Sequence, residues 1–423
     1  MKIRWIALSL FVSMLFTIFG WNVFAYSVGV SGVWTPVSIS SAGAFKPSVS
    51  IANNWEYVVA WVKDSSVEAK IYNWDDTLKV NTITIDSNTN LDTNSSSILV
   101  KMDPINGNWI VIYHKKPTGW ADTDLYYRVY NRSWTPLINS MALSSEALNQ
   151  RNLFVDYSPA DEIFTIAYAT EKETDLTKEY IYVAQVPNSS SYIKQKQGPL
   201  MESDGSSYRY FTALRNHTFF LPAKNQISTN SNDSTNWDLY NYIWDSVNNQ
   251  YRYDGLGRKN VNLASTSNNW LFDQNVYQNI NNKLGWYSNK GFYALTAARY
   301  YSSCFESWSY NYYFFRQGIL KSWWFKLYNS NGNVYYASCS TYIQNPNVLP
   351  SLHKVSNLFN GGLIAIFAPR NDSQYKEINV VYWDWVDSSA PTTVTYNLLW
   401  NATETISAVD VNLYWKIITV KWD

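Results

Sequence analysis

The chain has 423 residues, of which 46% are hydrophobic and 16% charged, with 33 basic and 33 acidic side chains. A formal net charge of zero gives no electrostatic reason to expect nucleic acid or an anionic membrane surface as a partner. Aromatic residues make up 17% of the chain, including 34 Tyr and 21 Trp. Aromatic side chains suit half-buried pleated surfaces, so this excess favours a large all-β core.

Residues 1–25 have the three-part layout of a secretory signal: a basic start at 1–4, an apolar run at 5–19 and a small residue, Ala25, at the cleavage position. We predict a signal peptide at 1–25 and a secreted or cell-surface protein. The alternative is an uncleaved anchor, because an apolar run of about 20 residues can span a bilayer. Only in that case does the sequence predict a membrane partner.

The segment that follows the signal is repeated one hundred residues later without a gap. Residues 26–40 align with residues 126–140, and the matching pairs are Tyr26 and Tyr126, Trp34 and Trp134, Thr35 and Thr135, Pro36 and Pro136, and Ser40 and Ser140. An internal repeat of this kind indicates an architecture built from similar units.

Two kinds of strand recur along the chain. Strongly apolar strands are predicted at 57–61, 109–113, 164–168, 218–221, 292–296, 363–367 and 416–420. Strands in which Tyr and Val alternate with polar residues follow the first six, at 67–72, 125–130, 180–184, 239–243, 323–328 and 378–382. Spacings of roughly 50 to 75 residues between the apolar strands are too long for one hairpin and fit one four-stranded sheet per unit.

We therefore predict an all-β chain, with residues 26–423 forming a single seven-bladed β-propeller of four-stranded blades. The seventh unit has only two strands, within residues 405–423. The repeat at 26–40 is predicted to supply the two missing strands and close the ring, which removes exposed sheet edges.

Residues 124–134 read Asp-Leu-Tyr-Tyr-Arg-Val-Tyr-Asn-Arg-Ser-Trp. This segment resembles the third strand, turn and fourth strand of the extracellular sialidase-like propellers. The Asp-box motif of that family, Ser-x-Asp-x-Gly-x-x-Trp, is not intact, although residues 73–76 and 329–333 occupy the equivalent turns. The resemblance implies a seven-bladed propeller, and it raises sialidase-like glycoside hydrolysis as one function to consider.

The loops between second and third strands carry most of the length variation, so we predict that their face of the molecule binds the ligand. The aromatic-rich segment 299–322 is predicted to be a lid inserted in this face, either packed on itself or presenting flat rings to sugars or to an apolar patch of a partner. The predicted binding residues are Trp120, Asp122, Asp124, Arg299, Trp308, Tyr310, Tyr312 and Arg316.

The two cysteines, Cys304 and Cys339, are predicted to form a disulfide that pins the lid, since an isolated pair in an oxidising compartment favours a disulfide over a metal or catalytic pair. Seven Asn-x-Ser/Thr sequons make the chain a candidate glycoprotein. They begin at Asn94, Asn131, Asn188, Asn216, Asn232, Asn371 and Asn401.

The candidate acids in the long loops are Asp122, Asp124, Glu171, Glu173 and Asp175. Two carboxylates about 5–9 Å apart can hydrolyse a glycosidic bond, whereas scattered loop acids are usually solvated. We predict no catalytic set, metal or cofactor. The leading hypothesis is a recognition module that binds a glycan or a surface protein; the alternatives are a propeller-type glycoside hydrolase and a structural component of a surface layer.

Overall fold

The computed structural model describes the greater part of the chain between residues 39 and 422. The described residues are 39–40, 44–87, 98–116, 123–144, 149–158, 162–189, 195–198, 200, 202–203, 212–214, 218–224, 236–245, 247–248, 250–253, 260–262, 273–277, 293–300, 309–316, 319–325, 350–357, 363–369, 377–383, 392–397, 405–412 and 416–422.

All the regular secondary structure of these residues is β-strand. The strands are β1 (Ala44–Ile51), β2 (Tyr57–Lys63), β3 (Ser66–Tyr72), β4 (Leu78–Asp86), β5 (Ile98–Met102), β6 (Trp109–Lys115), β7 (Asp124–Tyr130), β8 (Met141–Ala142), β9 (Gln150–Ser158), β10 (Ile163–Lys172), β11 (Asp175–Pro187), β12 (Gln195–Gln197), β13 (Glu202–Ser203), β14 (Thr212–Leu214), β15 (Thr218–Lys224), β16 (Asn236–Asp245), β17 (Gln250–Tyr253), β18 (Asn260–Asn262), β19 (Asp273–Tyr277), β20 (Tyr293–Tyr300), β21 (Ser309–Arg316), β22 (Ile319–Phe325), β23 (Pro350–Asn357), β24 (Leu363–Pro369), β25 (Glu377–Trp383), β26 (Thr392–Asn397), β27 (Thr405–Val411) and β28 (Ile417–Trp422). Within the described ranges, no helix is long and apolar enough to cross a membrane.

The strands form antiparallel sheets in chain order, and we number the sheets accordingly. In the described part of the chain, sheets 1, 2, 5 and 6 have four strands each, sheets 3 and 4 have five, and sheet 7 has two. They comprise β1–β4, β5–β8, β9–β13, β14–β18, β19–β22, β23–β26 and β27–β28. The predicted all-β character and antiparallel sheets of about four strands are therefore confirmed.

All seven predicted apolar strands are confirmed as the second strand of a sheet. Five of the six predicted third strands are also confirmed, but the one at 323–328 is wrong. In sheet 5 the third strand is Ser309–Arg316, which pairs with β20, and Ile319–Phe325 is the fourth. Much of the segment predicted as a lid, 299–322, thus belongs to a sheet. The aromatic Tyr-Asn-Tyr-Tyr-Phe-Phe run is a good strand sequence.

Strand β2 is apolar because neighbouring sheets cover it on both faces. In β2, Val58, Ala60 and Val62 pack in one core cluster with residues of sheet 2. The alternate residues Val59 and Trp61 pack in another cluster with Val420 of sheet 7. A strand buried on both faces has a continuous apolar sequence in place of an alternating one.

The first strands of successive sheets lie next to one another. Strand β1 contacts β5, β5 contacts β9, β9 contacts β14, β14 contacts β19, β19 contacts β23, and β23 contacts β27. Strand β27 of the last sheet in turn contacts β1 of the first.

Buried hydrogen bonds join sheet 1 to both of its neighbours. The Ser50 hydroxyl accepts a hydrogen bond from the Met102 backbone N–H at 3.0 Å and donates one to Asp410 Oδ2 at 3.1 Å. The Ser48 hydroxyl likewise accepts from the Val100 N–H at 3.0 Å. Each bond satisfies a polar group that packing removes from water.

Several predicted features lie outside the described residues. They are the signal at 1–25, most of the repeat at 26–40, Trp120, Asp122, Trp308 and both cysteines.

Candidate functional site at the loop end of sheets 2 and 3

Each sheet has two ends, which differ in how they connect strands. In sheets 1 and 2 the tight turns from first to second strand and after the third strand lie at one end, the turn end; they comprise residues 52–56, 73–77, 103–108 and 131–135. The connections from second to third strands and from one sheet to the next leave from the other end, the loop end.

Of the binding residues predicted in loop 115–124, the structure describes Asp124. It is the first residue of β7, opposite Lys115 of β6, and only 6% of it is exposed. Its neighbour Thr123 is also buried. The start of β7 therefore lies at the loop end, and the Asp124 side chain is buried there.

The interface between sheets 2 and 3 is apolar along most of its length. Ile112 and Leu125 of sheet 2 pack in one cluster with Ile166 and Tyr168 of sheet 3. Residues two apart on a strand share a face, so His114 continues the Ile112 face and Thr170 continues the Tyr168 face. The apolar core therefore ends, at the loop end, in a layer of polar side chains.

That layer contains His114, Gln150 and Thr170, which are 1%, 3% and 3% exposed. Gln150 of β9 lies directly opposite Thr170 of β10, so their side chains share a face of sheet 3. His114 Nε2 lies 3.0 Å from the Gln150 carbonyl oxygen and so joins sheet 2 to sheet 3. We call these three residues the polar layer.

Thr170 is a member of the polar layer with unused hydrogen-bonding capacity. Its hydroxyl is fully buried and, in the described part of the chain, makes no hydrogen bond to protein. Burying a hydroxyl without a partner costs about 1–3 kcal/mol. A ligand hydroxyl at this position would satisfy it.

Two buried glutamates lie on the opposite face of sheet 3. Glu171 of β10 and Glu179 of β11 are directly opposite each other and are 7% and 4% exposed. Asn149 Nδ2 donates a hydrogen bond to Glu171 Oε2 at 3.1 Å, and Glu173 at the hairpin is exposed. Because they are directly opposite, the two glutamate side chains are neighbours on this face of the sheet.

The predicted lid residues are divided between the two ends of sheet 5. Arg299 is opposite Tyr310, and Tyr312 is opposite Ala297, near the loop end. Arg316 is opposite Ile319 at the far end of β21. Arg316 is six positions after Tyr310 on the same strand, and this spacing corresponds to about 20 Å at about 3.3 Å per residue. The structure therefore brings Arg299 and Tyr310 together but does not place Arg316 with them.

Sequence reasoning did not single out His114, Gln150 or Thr170. Their roles depend on which strands of two separate sheets face each other, which no local pattern encodes. In the residues that the structure describes, no three His, Cys, Asp or Glu side chains come together as a metal site.

No protein-family model and no curated protein matches the chain. Among solved structures, it is similar to the acylaminoacyl peptidase of Pyrococcus horikoshii, with 9% identity and a TM-score of 0.47 over 90% of this chain and 49% of that one. The chain thus spans about half the length of that peptidase.

Two further similar structures cover comparable shares of both chains. One is a protein from Lactobacillus plantarum, with 8% identity and a TM-score of 0.42 over 83% of this chain and 84% of that one. The other is the GH93 α-L-arabinofuranosidase of Fusarium graminearum in complex with arabinobiose, with 10% identity and a TM-score of 0.39 over 79% and 90%. Likeness this distant says nothing about the activity of this chain.

Proposed function

We propose that the sheets form a closed seven-bladed β-propeller. The order of contacts between first strands supports this arrangement, because it runs from β1 to β27 and returns to β1. The packing of Val420 with Val59 and Trp61 supports it as well. In this architecture residues 26–40 complete sheet 7, whose described part has two strands where a blade needs four.

We propose that the chain is a secreted or cell-surface recognition module that binds a glycan at the loop end of sheets 2 and 3. The observation that carries the proposal is the polar layer, in which the buried Thr170 hydroxyl has unused hydrogen-bonding capacity. A sugar hydroxyl both donates and accepts hydrogen bonds and so matches a threonine hydroxyl. Ligand sites commonly combine an apolar lining with a few such convergent polar groups.

The sequence adjoining the polar layer fits the same ligand class. Loop 115–124 follows directly after His114 and contains Trp120, whose indole ring is a suitable surface for a sugar ring. The chain has a net charge of zero, which favours a neutral glycan over an anionic polymer.

The test is a glycan array probed with the wild-type chain and two variants, Thr170→Val and Trp120→Ala. Thr170→Val keeps the shape and removes the hydroxyl, so we expect it to bind at least tenfold more weakly with an equal or higher melting temperature. Glu173→Gln, an exposed change in the turn between β10 and β11, is the matched control and should bind as the wild type does. Equal binding by Thr170→Val and wild type, or capture of a surface protein with no glycan bound, would reject glycan recognition at this site.

A second candidate function is glycoside hydrolysis, and the Glu171–Glu179 pair favours it. Directly opposed residues in a sheet have Cβ atoms about 4.5–5.5 Å apart, which suits the roughly 5 Å separation of carboxylates in retaining glycosidases. Release of aryl leaving groups from a panel of aryl glycosides tests it. Glu171→Gln and Glu179→Gln should each abolish turnover and Glu173→Gln should not; a wild-type chain that releases nothing would exclude this function.

We also propose that the chain is exported and that Cys304 and Cys339 form a disulfide. The mass of the chain recovered from culture medium tests both, since cleavage after Ala25 removes 25 residues and a disulfide removes two hydrogens relative to the reduced form. Recovery of the full-length chain in the membrane fraction would indicate an anchor.

A further inference from the structure

The turn end of sheets 1 and 2 carries one turn geometry three times. In residues 52–56, 73–77 and 131–135, the N–H of the first residue donates to the carbonyl of the fifth, and the N–H of the fourth donates to the carbonyl of the first. The fourth residue has a positive φ in each case: 70° at Trp55, 66° at Asp76 and 63° at Trp134.

A positive φ suits Gly or Asp and disfavours a bulky side chain. Sheet 2 follows this rule in its own first turn, where the residue with positive φ is Gly107. Trp134 departs from it for a clear reason, since it packs against a core cluster and Lys79 Nζ lies 5.0 Å above its ring. Trp55 is 37% exposed. Neither backbone preference nor burial accounts for tryptophan at this position.

Trp74 is the second exposed tryptophan at the turn end, with 52% exposure. Its turn is held in place from sheet 7, because Lys416 Nζ donates to the Trp74 carbonyl oxygen at 2.6 Å and to Asp76 Oδ1 at 2.8 Å. The Trp55 turn is held from sheet 2, where the Asn53 N–H donates to the Pro104 carbonyl at 2.8 Å. Ile105, beside Pro104, is also exposed. Both indoles therefore project from turns that are anchored to neighbouring sheets.

The charges around the two indoles compensate one another. Lys79 and Arg132 pair with Glu56, and Lys416 pairs with Asp76. Asp75 completes a set of three acidic and three basic side chains around these turns. A surface whose charges balance within a few ångströms offers little attraction to a polyanion or to an acidic membrane. Exposed flat rings among paired charges suit a neutral polymer with apolar faces and many hydroxyls, which is the chemistry of a neutral polysaccharide.

We propose that the turn end is a second saccharide-binding surface, on which Trp55 and Trp74 stack against the rings of a neutral polysaccharide. This surface is at the opposite end of the sheets from the polar layer, and the inference does not depend on the function proposed there. A molecule with a binding surface at each end would be able to cross-link polysaccharide chains.

Native gel electrophoresis through gels containing β-glucan, xylan, arabinan or galactomannan measures this binding as slowed migration. The informative variant is Trp55→Gly, which removes the ring and places glycine at a positive φ. We expect retardation at least tenfold weaker on the polysaccharide that slows the wild type, with an equal or higher melting temperature. Trp74→Ala should weaken retardation similarly, and Val247→Ala, which changes a side chain that is 90% exposed elsewhere, should leave it unchanged.

Two further results separate this surface from the loop-end site and from self-association. Thr170→Val should retain the Trp55-dependent retardation, so the two proposals fail independently. The inference is overturned if none of the four polysaccharides slows the wild type, or if Trp55→Gly is slowed equally. It is also overturned if sedimentation finds a dimer that Trp55→Gly dissociates, since the surface then seats a second copy of the chain.

Discussion

Ser50 and Asp410 are 360 positions apart in the chain, yet the Ser50 hydroxyl donates a buried hydrogen bond to Asp410 Oδ2 at 3.1 Å. The same carboxylate oxygen accepts the backbone N–H of Ile51 at 3.0 Å. Because the Ser50 hydroxyl also accepts the Met102 N–H, one side chain links sheets 7, 1 and 2. Contact between the first and last sheets is therefore fixed by directional bonds as well as by apolar packing.

Ser50→Ala should lower the free energy of unfolding by about 1–3 kcal/mol, because it leaves the buried Met102 N–H without its acceptor. Chemical denaturation measures the loss. Ser87→Ala, at an exposed position after β4, is the control and should change stability by less than about 0.5 kcal/mol. Equal stabilities for Ser50→Ala and the control would show that the link between sheets contributes nothing.

Asp103 should be the most sensitive carboxylate in the described part of the chain. It is fully buried, and its two oxygens accept hydrogen bonds from Ile105 N, Asn106 N, Asn106 Nδ2, Tyr157 OH and Asn188 Nδ2. Hydrogen bonds to a charged group contribute about 1.5–3 kcal/mol each, so Asp103→Ala should destabilise the fold by about 3 kcal/mol or more. Glu173→Ala at an exposed hairpin serves as the control. A loss below 1 kcal/mol for Asp103→Ala would contradict the prediction.

The sequon at Asn188 should remain unmodified in the folded protein. Asn188 is 2% exposed, and its amide nitrogen donates to Asp103 Oδ2 at 2.8 Å and to Tyr157 OH at 2.7 Å. A glycan on that nitrogen would replace one of these donors and would have no room. Peptide mapping of chain secreted from a glycosylating host should find Asn188 bare, and Ser190→Ala should not alter the melting temperature. A glycan on Asn188 in folded monomer would refute the buried position.

Acid should remove the contribution of Glu56 to stability. Burial raises the pKa of Glu56, but hydrogen bonds with Lys79 and Asn54 and the charges of Lys79 and Arg132 outweigh it and leave the pKa below 4.5. A pKa that is lower in the folded state means a contribution present above about pH 4.5 and lost as the pH falls through the folded value. Glu56→Gln should therefore melt at a lower temperature than the wild type near neutral pH. The gap should close on acidification, and a gap that stays constant would contradict this linkage.

The sequence predicted the apolar second strands well because burial on both faces, as in β2, produces an unambiguous run such as Tyr57-Val-Val-Ala-Trp61. The error in sheet 5 arose where every candidate strand is aromatic. Composition does not separate a lid from a strand there, and the sequence signal that favours a hairpin is Gly318 between two such runs.

The polar layer could not be predicted in the same way. His114 and Thr170 belong to different sheets, and their proximity follows from packing and not from spacing. The turn-end tryptophans could have been predicted from the sequence. A tryptophan in a polar loop is the signal that favoured Trp120. The same signal is present at Trp55, which follows two asparagines, and at Trp74, which lies between Asn73 and Asp75. The positive φ of Trp55 and the exposure of both rings are visible only in the structure.

Hydroxyl-radical footprinting with and without the glycan chosen from the array tests the central claim most directly, because it reports which end of the sheets a saccharide covers. We expect reduced labelling of Trp120 at glycan concentrations that saturate binding, with Met141 and Val247 labelled as before. Unchanged labelling of Trp120 under saturating glycan would contradict recognition at the loop end.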